Sequence, residues 1–187
     1  MNKVSKILLI SSALWFFGEG LLGPLFSVFA EKIGGDILDI TWAWGLYLIA
    51  TGVFYVIIGK SIEKSNYKAE VMIFGYALNA ILTFCYLLVH NTMQLFLIQI
   101  GLGIAEALST PIWENLFATN IDDDDNTFYW SLATGHSHFV SGIAIIIGGL
   151  IADFVSFRAL FVVMGTIQIL ATIIQVRLLK HKEHFKK

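Results

Sequence analysis

Long runs without a charged residue alternate along this chain with short polar segments. Ile40 to Ile58 and Val71 to Val89 carry no charge and flank the decapeptide Gly59 to Lys68. At 1.5 Å per residue a helix needs about 20 mostly apolar residues to cross a hydrocarbon core of roughly 30 Å, so each run predicts a bilayer-spanning helix. The same pattern predicts six spans: Ile7 to Ala30, Ile40 to Ile58, Val71 to Val89, Met93 to Ala118, Phe128 to Ala152 and Ala159 to Val176. The first is interrupted by Gly18, Gly20 and Gly23-Pro24, which loosen the backbone ladder where neighbouring helices satisfy the freed groups. Lys3 and Lys6 ahead of an apolar run look like the start of a signal peptide. No small-x-small cleavage site follows, and the run is too long for a signal core, so a retained helix is expected.

The polar segments set the orientation. An even number of spans puts both termini on one side, and ten basic residues gather there: Lys3, Lys6, Lys60, Lys64, Lys68, Arg177, Lys180, Lys182, Lys186 and Lys187. Only Lys32 and Arg158 fall on the other side. Cytoplasmic loops carry the excess of Lys and Arg, so both ends are expected in the cytoplasm, which speaks against a dual-topology pair. The acidic run Asp122 to Asp125 does not oppose this, because acids count little in that rule. It lacks the ligand spacing and glycine of a calcium loop. The plain reading of such a run is a solvated face; the more specific expectation is that it lies opposite Lys60, Lys64 and Lys68 and latches one conformation. Residues 1 to 187 read as a single six-helix domain, without internal repeat or linker.

Composition then narrows the class. The chain is 57% hydrophobic and 14% charged, where soluble chains carry about 25% charged residues. A net charge of -2 conceals a strong segregation, with charges gathered between the apolar runs and at the ends. That argues for integration into a lipid bilayer and against a nucleic-acid partner. The single cysteine, Cys85, allows no internal disulfide and reads as a small core residue. There is no Gly-x-Ser-x-Gly, no His-Glu-x-x-His and no phosphate-binding glycine loop followed by Lys. No enzymatic activity, cofactor or metal is therefore expected, and Ser137 between two histidines is a weak nucleophile candidate.

Charges inside the spans carry the candidate chemistry. An ionisable residue near the bilayer centre costs about 2.5 to 3.5 kcal/mol on insertion scales, so it needs a partner, a cavity or a proton. Glu19 and Glu106 both fall near mid-span. In the fourth span Gln99, Gly103, Glu106, Thr110 and Glu114 recur at spacings of four, three, four and four, which is one face of a helix. Such a stripe faces water or another helix, and is a candidate for substrate and proton binding. The plainer alternative is a helix contact in which Glu106 is neutral and hydrogen-bonded. His136 and His138 lie two residues apart, so they point to opposite faces and form no local chelate. His138 shares its face with Ser131, Thr134, Ser141 and Gly142 and is the cavity candidate; His136 reads as an interface residue. With an unperturbed pKa of about 6.5, histidine makes proton coupling chemically available.

The polar decapeptide resembles the signature between helices 2 and 3 of the major facilitator superfamily of transporters. Gly59, Glu63, Lys64 and Lys68 match it by position and charge, Asn66 stands in for a turn glycine, and Tyr67 departs from it by replacing a basic residue. Gly101 to Ala105, Gly148 to Asp153 and Ser156 to Phe161 also look like parts of helices 4, 5 and 6 of that family. Leu97 and Ile100 occupy places where proton-coupled members often carry Arg and Gln, and Ala144-Ile145 replaces the Gly-Pro of the antiporters.

The resemblance implies an all-α fold like the amino-terminal six-helix half of a twelve-helix secondary transporter of small solutes. It also implies a cavity lined by helices 1 and 4, and a conformational-switch loop at Gly59 to Lys68. The two halves of that fold are parallel repeats about an axis along the membrane normal, so a second identical copy is expected to supply the other half. The expectation is thus a parallel homodimer in the cytoplasmic membrane, with Glu19, Glu106 and His138 facing a shared cavity. Two alternatives stand beside it. One is a six-helix substrate-binding subunit, like those of energy-coupling-factor importers, although no small-residue docking signature appears in the first helix. The other is a non-transporting interaction partner, which the missing Arg and Gly-Pro signatures favour.

Overall fold

The computed structural model describes residues 2–121 and 126–180. In chain order the helices are α1 (Lys3–Leu22), α2 (Leu25–Lys32), α3 (Ile37–Ile62), α4 (Lys68–Cys85, continued by a 3-10 turn at Tyr86–Leu88), α5 (Thr92–Ala118), α6 (Asn126–Phe154) and α7 (Phe157–Val176). All but α2 are long and apolar enough to cross a membrane, so the described residues are all-helical with six candidate spans, as in a multi-pass membrane protein. The acidic run Asp122 to Asp125, and with it the expected latch, lies outside the described residues, as does the chain from 181 onward.

Local chemistry explains where the helices depart from the apolar runs. The first span is not one helix to Ala30. Gly23 adopts a positive φ of 27° and its N–H donates to the Glu19 carbonyl at 3.3 Å, which ends α1, and the chain resumes as the short α2. Helix α3 starts before Ile40 because Asp36 and Asp39 form a reciprocal capping box. The Asp39 N–H donates to Asp36 Oδ1 at 2.9 Å and the Asp36 N–H to Asp39 Oδ2 at 3.2 Å. The helix also runs beyond Ile58 to Ile62, with Lys60 in its last turn complementing the carbonyl end. Gly59 and Lys60 are therefore helical, and the polar loop shortens to Glu63 through Tyr67. At the start of α7, the Ser156 hydroxyl accepts from the Ala159 N–H at 3.1 Å and sets a boundary just before Phe157.

The spans pack as an arc in the order α3, α5, α4, α7, α1, α6; α1 also touches α5, which closes the four central spans on one another, and α6 also touches α7. The start of α1 meets the end of α5 where Ser5 Oγ donates to the Asn120 carbonyl at 2.6 Å. Lys68 Nζ, at the start of α4, donates to Asn115 Oδ1 at 3.5 Å, at the same end of the bundle. At the opposite end the Lys32 ammonium sits 5.3 Å from the centre of the Phe157 ring. Lipid tails are as apolar as leucine, so close packing and hydrogen bonds must hold such helices together. Gly148 on α6 lies against the Leu21 backbone, and a Cβ on Gly75 would come within 2.8 Å of the Ala105 carbonyl oxygen. Across α7, Ser11 donates to Gln175, and Gln168 Nε2 donates to the Trp15 carbonyl at 3.2 Å.

Candidate functional site

Helix α5 carries the polar stripe through the middle of the arc. Glu106 is half-buried where α5 meets α3, and both of its oxygens are engaged: the Tyr47 hydroxyl donates to Oε2 and the Tyr55 hydroxyl to Oε1, the latter at 3.3 Å. Tyr47, Thr51 and Tyr55 recur every four residues, so α3 presents one hydroxyl-bearing face to α5. Gly103 makes room for it, since a Cβ there would lie 2.6 Å from the Tyr47 carbonyl oxygen. An ionised carboxylate accepts on both oxygens, whereas a protonated one carries a donor on one of them. The two tyrosine bonds therefore cannot both survive unchanged when Glu106 gains a proton.

Glu19 lines a cavity of about 190 Å³ between α1, α3, α4 and α5, together with Trp44, Tyr47, Asn79, Tyr86 and Gln99. Gln99 is buried, with its Oε1 accepting from the Tyr86 hydroxyl at 3.4 Å. Asn79 is buried as well, and its amide nitrogen has no partner. A second cavity of about 160 Å³ lies nearer the end that carries the amino terminus, where Thr110 and Glu114 meet Ser12, Trp15, Tyr76 and Trp113. Pro111 interrupts the α5 ladder between Thr110 and Glu114, with Glu106 on the amino-terminal side and the helix end on the other.

The structure thus groups Glu19 with Gln99, groups Thr110 with Glu114, and seats Glu106 on α3. His138 stands apart. It is exposed on α6 in an open groove with Thr127, Trp130, Ser131, Thr134 and Gly135, and lines neither of the two cavities described above. Glu63, Lys64 and Asn66 form the loop between α3 and α4, whereas Gly59 ends up inside α3 and Lys68 opens α4. Gly59, Glu63 and Lys68 share a cavity of about 170 Å³ with Pro111 and Asn115, which puts the loop in touch with the striped helix.

Tyr47, Tyr55 and Asn79 are the site residues that the apolar pattern concealed. The signal for the tyrosines was available as hydroxyls at a spacing of four in the second span, matching the stripe of the fourth. Asn79 is the one amide side chain within the third span.

A family model described as Major Facilitator Superfamily matches residues 8–187. The uncharacterized MFS-type transporter YitZ of Bacillus subtilis (strain 168) is 21% identical over 166 residues, which cover 87% of this chain and 98% of the relative. An uncharacterized MFS-type transporter of Methanocaldococcus jannaschii is 24% identical over 177 residues, covering 93% of this chain and 46% of the relative. The proton-coupled antiporter flippase LtaA of Staphylococcus saprophyticus is 24% identical over 136 residues, covering 71% of this chain and 34% of the relative. The chain therefore spans nearly all of the first relative, about half of the second and a third of the third.

Proposed function

This chain belongs to the major facilitator superfamily, and we propose that it moves a small solute across the cytoplasmic membrane as half of a proton-coupled secondary transporter. A second copy in the same orientation supplies the other half. The observation that carries this reading is the Glu106 carboxyl, held on both oxygens by Tyr47 and Tyr55 across the α3–α5 seam. Protonation changes a contact between two spans, and such a differential contact is what a proton needs to bias one conformation over another. The proton-coupled antiporter relative supports the coupling. In this reading Glu19, Gln99, Glu106, Thr110, Glu114 and His138 bind solute and proton, while Gly59, Glu63, Lys64, Asn66 and Lys68 form the switch beside Pro111. The excess of Lys and Arg at one end of the bundle supports cytoplasmic termini.

The flanks of the arc support a second copy. Gly45, Gly52 and Gly59 recur every seven residues on α3, and Gly135, Gly142 and Gly149 do so on α6; a Cβ at any of them would meet nothing within 4 Å. A seven-residue repeat keeps one seam turned toward a partner helix, and small residues let membrane helices approach closely. Helices α3 and α6 run in opposite directions through the bundle. A two-fold axis along the membrane normal lays α3 of one copy against α6 of the other, twice over. The polar Ser131, Thr134 and His138 on α6 are then shielded from lipid.

Native mass spectrometry of the protein in lipid nanodiscs tests the pairing: a dimer of the 20.8 kDa chain is expected. A strict monomer at every concentration sinks the two-copy transporter and favours the binding-subunit reading. Given a dimer, Glu106→Gln is expected to abolish solute uptake driven by a pH gradient in proteoliposomes without dissociating the pair.

A further inference from the structure

We infer that the cavity around Glu19 binds a small lipophilic organic cation that also carries a hydrogen-bond acceptor. This names a substrate class for the transporter reading and rests on that reading for the transport step alone. At about 190 Å³ the cavity is smaller than the roughly 300 Å³ at the low end for drug-sized ligands, so it suits a single ring with a short polar arm. Its walls are the rings of Phe26, Trp44, Tyr47 and Tyr86 with Leu102 and Met164, and Glu19 is its one carboxylate.

Charge and hydrogen-bond inventory select the ligand. No Lys, Arg or His is among the lining residues, so an anion finds no counter-ion there. A cation finds a carboxylate together with the electron-rich faces of aromatic rings, which attract positive charge most strongly where water is excluded. Asn79 adds a second, independent requirement. It is 2% exposed, lines the cavity, and its amide nitrogen has no partner. Buried amides are normally satisfied, and an acceptor atom on the ligand would satisfy this one. A sugar fits poorly, because each of its hydroxyls needs a partner and most of the lining is aromatic or aliphatic. The Gln99 oxygen accepts from Tyr86, and the Thr83 hydroxyl donates to the Asn79 carbonyl at 2.8 Å.

Equilibrium dialysis with the full chain in nanodiscs tests the assignment with three probes. Phenacyltrimethylammonium carries the ring, the fixed positive charge and one carbonyl; benzyltrimethylammonium lacks the carbonyl; the tert-butyl isostere of the first replaces the ammonium nitrogen with carbon. Saturable binding of the phenacyl cation is expected, about ten-fold tighter than its uncharged isostere. Glu19→Gln should erase that preference for charge. Asn79→Leu should erase the advantage of the phenacyl over the benzyl cation and leave the preference for charge in place. Equal binding of the uncharged isostere overturns the inference, as does a charge preference that survives Glu19→Gln in protein with an unchanged melting temperature. A phenacyl advantage that survives Asn79→Leu overturns the acceptor requirement. Binding needs neither a second copy nor a proton gradient. A monomer that binds these cations would refute the paired transporter and leave this site standing, and a dimer with pH-driven uptake that ignores all three cations would do the reverse.

Discussion

Helices α3 and α6 occupy equivalent places at the two flanks of the arc, yet they are attached by different physics. Each has only 11% of its most apolar stretch buried, against 50% for α1 and 44% for α5. Helix α6 is fitted to α1 by shape. Gly148 lies on the Leu21 backbone, a Cβ on Gly20 would sit 2.9 Å from that of Ala144, and one long hydrogen bond of 3.4 Å runs from Ser141 Oγ to the Phe16 carbonyl. Helix α3 is fitted to α5 by shape at Gly103, where a Cβ would lie 2.6 Å from the Tyr47 carbonyl oxygen, and by polar groups as well, with Tyr47 and Tyr55 both donating to Glu106. Close packing is indifferent to protons, whereas a carboxyl that accepts two hydrogen bonds is not. One flank of the molecule is therefore built as a fixed joint and the other as a joint that chemistry can alter.

The sharpest way to break this contrast is to fill the fixed joint. Any side chain at position 148 runs into the Leu21 backbone, which cannot rotate away as a side chain can. Gly148→Leu is expected to cost about 3 kcal/mol and to shift the protein toward aggregated or unfolded material in thermal-unfolding and gel-filtration measurements. Gly142→Leu, less than two turns earlier on the same helix, enters open space and should change the stability of a single copy by no more than about 0.5 kcal/mol. Equal damage from both would mean that the exposed face of α6 is not bare.

The next effect belongs to the alterable joint. Glu106→Leu removes the acceptor of both tyrosine hydroxyls and leaves them in a seam closed by Gly103, an expected loss of about 2 kcal/mol. Glu106→Gln keeps one oxygen and should cost less. The matching change on the other flank, His138→Leu, touches an exposed side chain and is expected to be close to neutral in the same melting assay. A large loss at His138 would show that polar attachment is not confined to α3.

How much of this was legible in the sequence follows from what lipid does and does not distinguish. Exclusion of charge from a bilayer is a rule about solvent, so the six spans could be read one segment at a time. Helix ends depend on local bonds that an apolar window cannot register. Asp36 and Asp39 look like the end of a loop, yet together they cap α3 from within its first turn. Gly23 looks like one more glycine in an apolar run until its φ turns positive. The division into flank and centre left no compositional trace, because a residue facing lipid and a residue facing a helix are equally apolar. Of the site, the spacing from Gln99 to Glu114 was enough to draw the α5 stripe. The tyrosines that satisfy Glu106 were not, since their role depends on how α3 is rotated against α5.

The smallest expected effect separates the two joints most directly. Tyr47→Phe removes one donor to Glu106 and nothing else, for an expected cost of about 1 kcal/mol. Ser141→Ala removes the one polar bond named between α6 and α1, a 3.4 Å contact whose loss should cost less than about 0.5 kcal/mol. Hydrogen bonds to an ionised group are roughly twice as strong as those between neutral groups. The Tyr47→Phe penalty should therefore be largest in buffers alkaline enough to keep Glu106 ionised, and should shrink as the pH falls and Glu106 takes up a proton. The Ser141→Ala penalty has no titrating partner and should stay flat across the same range. Melting curves of both variants, each referred to the parent protein at every pH, read this out, and Glu106→Gln should flatten the tyrosine profile. Parallel profiles for the two variants would mean that the α3 seam is as insensitive to protons as the α6 seam, and would take away the physical basis for proton coupling at Glu106.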